Sequence, residues 1–151
     1  MTASKVLERK DVPQESKWKG EAVFASWVEW NAEVEALTAD LAQLSAFDGK
    51  LAQGPTVLAD WLASWTAFDR RLMRLFVYAR MASVVDANDM IAKENMGQMM
   101  GLYAKYKAAI AFADPAILEL EERLPGWVNE EPRLKMYEHY FDNLMRQKAH
   151  L

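Results

Sequence analysis

A chain of 151 residues has the length of one domain and is long enough to bury about 70% of its unfolded surface. Apolar residues make up 52% of it, so disorder is not the default, and the formal net charge of −4 argues against a general nucleic-acid binder. With no cysteine, disulfides, thiolate nucleophiles and cysteine-held zinc are excluded.

Residues 1–19 are polar, contain Pro13 and read as an extended arm. The opening "MTASKVLERKDVPQ" has no apolar core, so it is not a signal peptide. Ser26 and Glu29, three apart, form a capping box that starts a helix. Trp27, Trp30, Val34, Leu37, Leu41 and Leu44 follow at steps of three and four, and Gly49 suits the left-handed position after the helix end. "DGKLAQGP" is a loop, residues 48–55, and Thr56 is the expected cap of the second helix, with Asp60 in its early turns.

Neither Gly nor Pro occurs from Thr56 to Met96. Leu58, Trp61, Trp65, Phe68, Leu72, Leu75, Ala79 and Ala82 give that helix one apolar face. "DAND", residues 86–89, offers a break with Asp86 or Asn88 as the new cap. A third helix carries Met96, Met99, Tyr103, Tyr106, Ile110 and Ala113 on its apolar face. Asp114 followed by Pro115 predicts the start of a short fourth helix, ended at Pro125-Gly126. Asn129 is the expected start of the last helix, whose apolar face is Leu134, Tyr137, Phe141, Leu144 and Leu151, with Lys148 filling the missing turn. The prediction is therefore all-α, with four or five helices in long antiparallel hairpins packed at about 20°.

Little in this pattern carries chemistry. His139 and His150 lie eleven apart, and Met136 and Gln147 occupy the positions where a Glu-x-x-His pair would need glutamate. His-Glu-x-x-His, Gly-x-Ser-x-Gly and phosphate-binding glycine loops are absent. Both histidines are expected on helix surfaces or at caps. Arg70, Arg71, Arg74 and Arg80 are expected on a solvated helix face in preference to a phosphate patch. Gly97 and Gly101 each cost about 1 kcal/mol relative to Ala inside a helix. Close approach of a neighbouring helix is the expected reason, and a flexible point or a ligand backbone is the alternative. Six tryptophans and nine methionines stand out. Trp27, Trp30, Trp61 and Trp65 are expected in the core. Met96, Met99 and Met100 are expected there too, with a docking surface as the alternative. The longest charge-free stretch, Asn95–Ala104, is ten residues, against about 20 for a membrane-spanning helix. No membrane partner is expected, and the expected location is the cytoplasm.

The order of several short motifs resembles the N-terminal region of oligoendopeptidase F-type zinc metallopeptidases. "RKDVPQESKW" resembles that family's opening, and "SWVEWNAE" (Ser26, Trp30, Glu33) its capped first helix. "AFDGKLAQGPTVLADWL" resembles the Phe-x-Gly-x-Leu loop, and "LFVYARMASVVDAND" the Leu-x-x-Tyr-Ala segment. "AFADPAILEL" and "LKMYEHYFDNLMRQKAHL" resemble the Phe-x-x-Pro and Tyr-x-His … Arg-x-x-x-His-Leu segments. Lys19-Gly20 and Ala116 depart from the usual pattern.

The resemblance implies an enzyme that cleaves short oligopeptides in the cytoplasm, with one zinc held by His-Glu-x-x-His and a later glutamate. None of those residues is carried over to this chain: no catalytic, metal or cofactor residue is assigned, and zinc belongs to the full-length enzyme. Residues 20–151 are then expected to form a helical channel-wall or lid domain, cut before a C-terminal catalytic domain that is its expected partner. Loop 48–55 and the two glycines are the expected mobile points. The alternative is a stand-alone helical interaction protein that binds a protein partner or itself.

Overall fold

The structure is a computed structural model that describes residues 11–148. His150, Leu151 and the first half of the expected arm lie outside the described residues. The fold is all-α, and no strand occurs among the described residues. The α-helices are α1 (Trp27–Ser45), α2 (Pro55–Val85), α3 (Met90–Ile110), α4 (Ala113–Leu118), α5 (Leu124–Glu130) and α6 (Glu138–Lys148). Single 3₁₀ segments cover Gln14–Ser16, Gly20–Ala22, Leu51–Gln53 and Pro132–Tyr137.

Helix α2 is the spine. Its 31 residues span about 46 Å at 1.5 Å per residue. Its C-terminal half packs with α1 and α3 around Trp30, Leu37, Phe68, Leu75, Met99 and Tyr106. Its N-terminal half packs with α4, α5, α6 and Leu51 around Leu58, Trp61, Leu62, Ile117, Leu134 and Phe141. Trp65 and Ile110 touch both clusters and join them.

The arm end is anchored to this spine. The Trp18 ring lies 5.7 Å from that of Tyr78. A Cβ on Gly20 would sit 2.9 Å from the Trp18 ring, so a larger residue there would push that ring aside. Phe24 meets Tyr78 edge-on at 5.5 Å and lies under the Arg74 guanidinium, 5.1 Å from its ring centre.

The start of α1 follows the sequence closely. Ser26 Oγ accepts from the Glu29 backbone N–H at 3.4 Å, and Glu29 Oε2 accepts in return from the Ala25 N–H at 3.1 Å. The reciprocal bond falls one residue earlier than in a standard capping box. Gly49 has φ +70°, as expected, and Leu51 beside it is buried and pins the loop to the second cluster.

Several expected boundaries move. Helix α2 starts at Pro55 with Gly54 as its cap, not at Thr56: proline at the first position needs no N–H partner there. The cap of α3 is Asp89, not Asp86 or Asn88. Asp89 Oδ1 accepts from the Ala92 N–H at 2.9 Å, while Asp86 Oδ1 accepts from Asn88 N–H and shapes the turn itself. Helix α4 starts at Ala113, so Asp114 lies in its first turn, where its carboxylate accepts from the Tyr140 hydroxyl at 2.6 Å.

Pro125-Gly126 does not end a helix. Pro125 sits in the first turn of α5, where its missing donor costs nothing. Asn129 lies inside α5 and donates to the Pro125 carbonyl. The break before the last helix is at Glu131, whose carboxylate caps the Arg133 N–H. In α3 the buried face is Ala92, Asn95, Met99, Leu102 and Tyr106, and Tyr103 is exposed. The same spacing of three and four fits either neighbour of the true face.

Two pairs of substitutions test this packing. The Trp30 indole N–H donates to the Leu75 carbonyl at 3.0 Å, whereas that of Trp61 is buried without an acceptor among the described residues. Trp30→Phe therefore destabilises the chain by about 1 kcal/mol more than Trp61→Phe. Urea denaturation measures both, and the reverse order would contradict the assignment. Cβ atoms added at Gly97 and Gly101 meet nothing within 4 Å. Gly97→Ala and Gly101→Ala each raise the unfolding free energy by about 0.5–1 kcal/mol. A loss of stability in either variant would show a contact that the fold does not contain.

Candidate interaction surface

Among the described residues the chemistry-bearing side chains do not converge. His139 is exposed on α6, and its Nε2 lies 3.1 Å from Asn143 Nδ2. Among the described residues no group of three or more His, Cys, Asp and Glu side chains is arranged to hold a metal ion. The ligand set that zinc requires is not formed by the described residues. No helix among them is long and apolar enough to cross a membrane.

The arginine cluster is divided between structural duties. Arg71 Nε and Nη2 donate to the two carboxylate oxygens of Glu33 at 2.7 and 3.2 Å, and its Nη1 donates to Asp40 Oδ2 at 2.6 Å. Those bonds hold the guanidinium firmly protonated and clamp α2 to α1. Arg74 donates to the Val23 carbonyl at 2.9 Å. Arg70 and Arg80 remain on the exposed surface of α2.

Buried polar groups bind the helices together at the joint between the clusters. The Trp65 indole N–H donates to the Tyr106 hydroxyl at 2.7 Å, which donates on to Asp69 Oδ1 at 3.1 Å. Burial, with Asp69 alongside, pushes the Tyr106 phenol well above its ordinary pKa. Burial and the bond to Asp114 do the same for Tyr140. Both hydroxyls stay protonated across the physiological range and serve as donors. These tyrosines hold the fold together and are not poised for proton transfer.

What the structure does bring together is an apolar groove between two helices. Most of the exposed large hydrophobic side chains lie on the hairpin of α2 and α3: Met73, Val77, Met81 and Val84 on one helix, Met90, Ile91, Met100 and Tyr103 on the other. Their concentration marks this hairpin as the candidate surface. Leu72, Met73, Phe76, Met99, Met100 and Tyr103 line an open groove of about 320 Å³ between the helices. The only side-chain hydrogen-bonding group in that lining is the Tyr103 hydroxyl.

Here the sequence expectation divides. Trp30 and Trp61 are buried, and Trp27 and Trp65 are half-buried against the core. Met99 is buried, Met96 half-buried and Met100 is 49% exposed. The close helix approach expected at Gly97 and Gly101 is absent, since both are exposed.

No protein-family model matches the chain. It is 30% identical over 150 residues to oligopeptidase PepF of Bacillus subtilis, covering 99% of this chain and 22% of that protein. It is 26% identical over 145 residues to the plasmid oligoendopeptidase F of Lactococcus lactis subsp. cremoris, covering 95% of this chain and 24% of the relative. The oligoendopeptidase-F crystal structure from Enterococcus faecium superposes with a TM-score of 0.75 over 83% of this chain and 25% of that one, at 24% identity, a likeness of fold. The chain thus resembles the N-terminal region of oligoendopeptidase F and spans about a quarter of the length of the relatives it matches.

The exposed face has a direct readout. The chain is expected to bind a hydrophobic dye such as anilinonaphthalene sulfonate in its native state. Combined Met73→Gln and Met100→Gln lowers that fluorescence at least about twofold while changing stability by no more than about 1 kcal/mol. Dye binding that the double variant leaves intact would place the exposed apolar surface elsewhere.

Proposed function

We propose that this chain is the N-terminal helical region of an oligoendopeptidase F-like zinc metallopeptidase, and that it walls and gates the channel through which short oligopeptides reach the catalytic site. The observation that carries the reading is the similarity to oligopeptidase PepF, which runs over 150 residues and leaves no part of the fold outside the match. Its partner is the catalytic remainder of the polypeptide, its substrate is met only as part of the whole enzyme, and its place is the cytoplasm. Zinc, with the water it activates, belongs to that remainder.

The arrangement of residues supports a scaffold role. Some of its charged groups are tied into ion pairs: Arg71 of α2 joins Glu33 and Asp40 of α1, and Arg133 joins Asp60 of α2 and its near neighbour Glu131. Its large polar side chains lock the joint at Trp65. The exposed apolar hairpin suits a region that packs against more protein. A stand-alone interaction protein would use the same hairpin, so the decisive contrast is activity.

The purified chain, supplied with zinc, is expected to leave a fluorogenic oligopeptide uncleaved. Stoichiometric zinc binding together with chelator-sensitive cleavage would overturn the non-catalytic assignment.

A further inference from the structure

We infer that the groove between α2 and α3 seats an amphipathic helix with acidic flanks, contributed by the polypeptide that completes the peptidase. The inference rests on the functional reading above and identifies the contact through which the region is held.

The lining selects the occupant's backbone. An extended peptide leaves its N–H and C=O groups seeking partners, and those must be supplied by the site. The six lining side chains offer one hydroxyl, that of Tyr103. A helix satisfies its backbone internally and needs only apolar complementarity. The groove is too small for a whole helix about 10 Å across but takes the side chains of one helical face. On α2 the exposed stripe runs from Met73 through Val77 to Val84, about 16 Å or three turns. That length matches anchors at i, i+4, i+7 and i+11 on a partner helix.

The rim selects its charge. Arg80 falls within the Met73–Val84 stripe, and α2 carries no acidic residue from Arg70 to Val85. On α3 the flank that holds Met96, Met100 and Tyr103 also holds Lys93 and Lys107 by helical spacing. Asp69 is the acid on the α2 side, and its Oδ1 accepts from the Tyr106 hydroxyl. The exposed rim is therefore basic on a chain that is acidic overall, and complements Glu or Asp beside the partner's apolar stripe. A second copy fits poorly. A two-fold contact through this face would set Arg80, Lys93 and Lys107 against their own equivalents.

Methionine oxidation by dilute peroxide, read by mass spectrometry, tests the contact at Met73 and Met100. The 151-residue chain is compared with the longer polypeptide encoded by its gene, and with a longer polypeptide carrying Arg80→Glu, Lys93→Glu and Lys107→Glu. These are exposed positions, where substitution is tolerated. Both methionines are expected to oxidise at least about fivefold more slowly in the longer polypeptide, and the triple reversal is expected to return most of that rate. Equal rates in the chain and in a longer polypeptide that still cleaves oligopeptides would overturn the groove assignment and leave the functional reading standing. Protection that the reversal leaves intact would overturn the acidic helix. Protection of the isolated chain that rises with its own concentration would assign the groove to a second copy. Protection that appears only on adding an oligopeptide would assign it to substrate. A gene that encodes no longer polypeptide would overturn the reading and the inference together.

Discussion

Everything in this fold hangs on the continuity of α2. One unbroken helix of 31 residues supplies a wall to both hydrophobic clusters, so neither is complete without it. The clusters meet at Trp65. Its ring stacks on Trp61 at 5.6 Å and 3°, lies 5.3 Å from Tyr140, and its N–H is bound by Tyr106. Aromatic rings at a joint bring large apolar area with few rotatable bonds, and here the polar tips of Trp65 and Tyr106 bond to each other. The absence of Gly and Pro between Thr56 and Met96 is what permits such a helix, and only the short polar turn at 86–89 folds it back as α3.

Much of this architecture is legible in the sequence because burial imposes a period. The rows from Trp30 to Leu44 and from Leu58 to Ala79 fix two helices and their inward faces. Chemistry that acts within a few residues is also legible: Ser26 with Glu29, and Gly49 in its left-handed turn. The misreadings arise where two local signals compete. Asp86, Asn88 and Asp89 are each capable caps, and the choice of Asp89 is made by where α2 runs out. Pro115 and Pro125 are both acceptable in a first turn, and only packing of Ile117 and Leu124 into the second cluster shows which helix each begins near.

The candidate surface was less legible. Methionine and tyrosine at helical spacing look alike whether they face a core or a partner. Tyr106 and Tyr103 differ by one turn's offset, and the structure buries the first and exposes the second. Glycines four apart suggest a close neighbour, yet Gly97 and Gly101 face open space within this chain. One signal was available: α2 carries arginines at 70, 71, 74 and 80 with no acid among them, an imbalance that a uniformly solvated helix has no need of. The family resemblance, spread over many weak motifs, carried more information about function than any single residue, and the similarity to PepF runs through the same segments.

A helical region with an apolar, basic-rimmed groove, and with Arg71 clamping α2 to α1, suits the scaffold role proposed for it. The most direct test lies in the gene. Sequencing the DNA past the codon for Leu151 is expected to show a frame that continues to a His-Glu-x-x-His motif. A stop codon at that point, with no such motif downstream, would contradict the account and leave a self-standing helical binding protein.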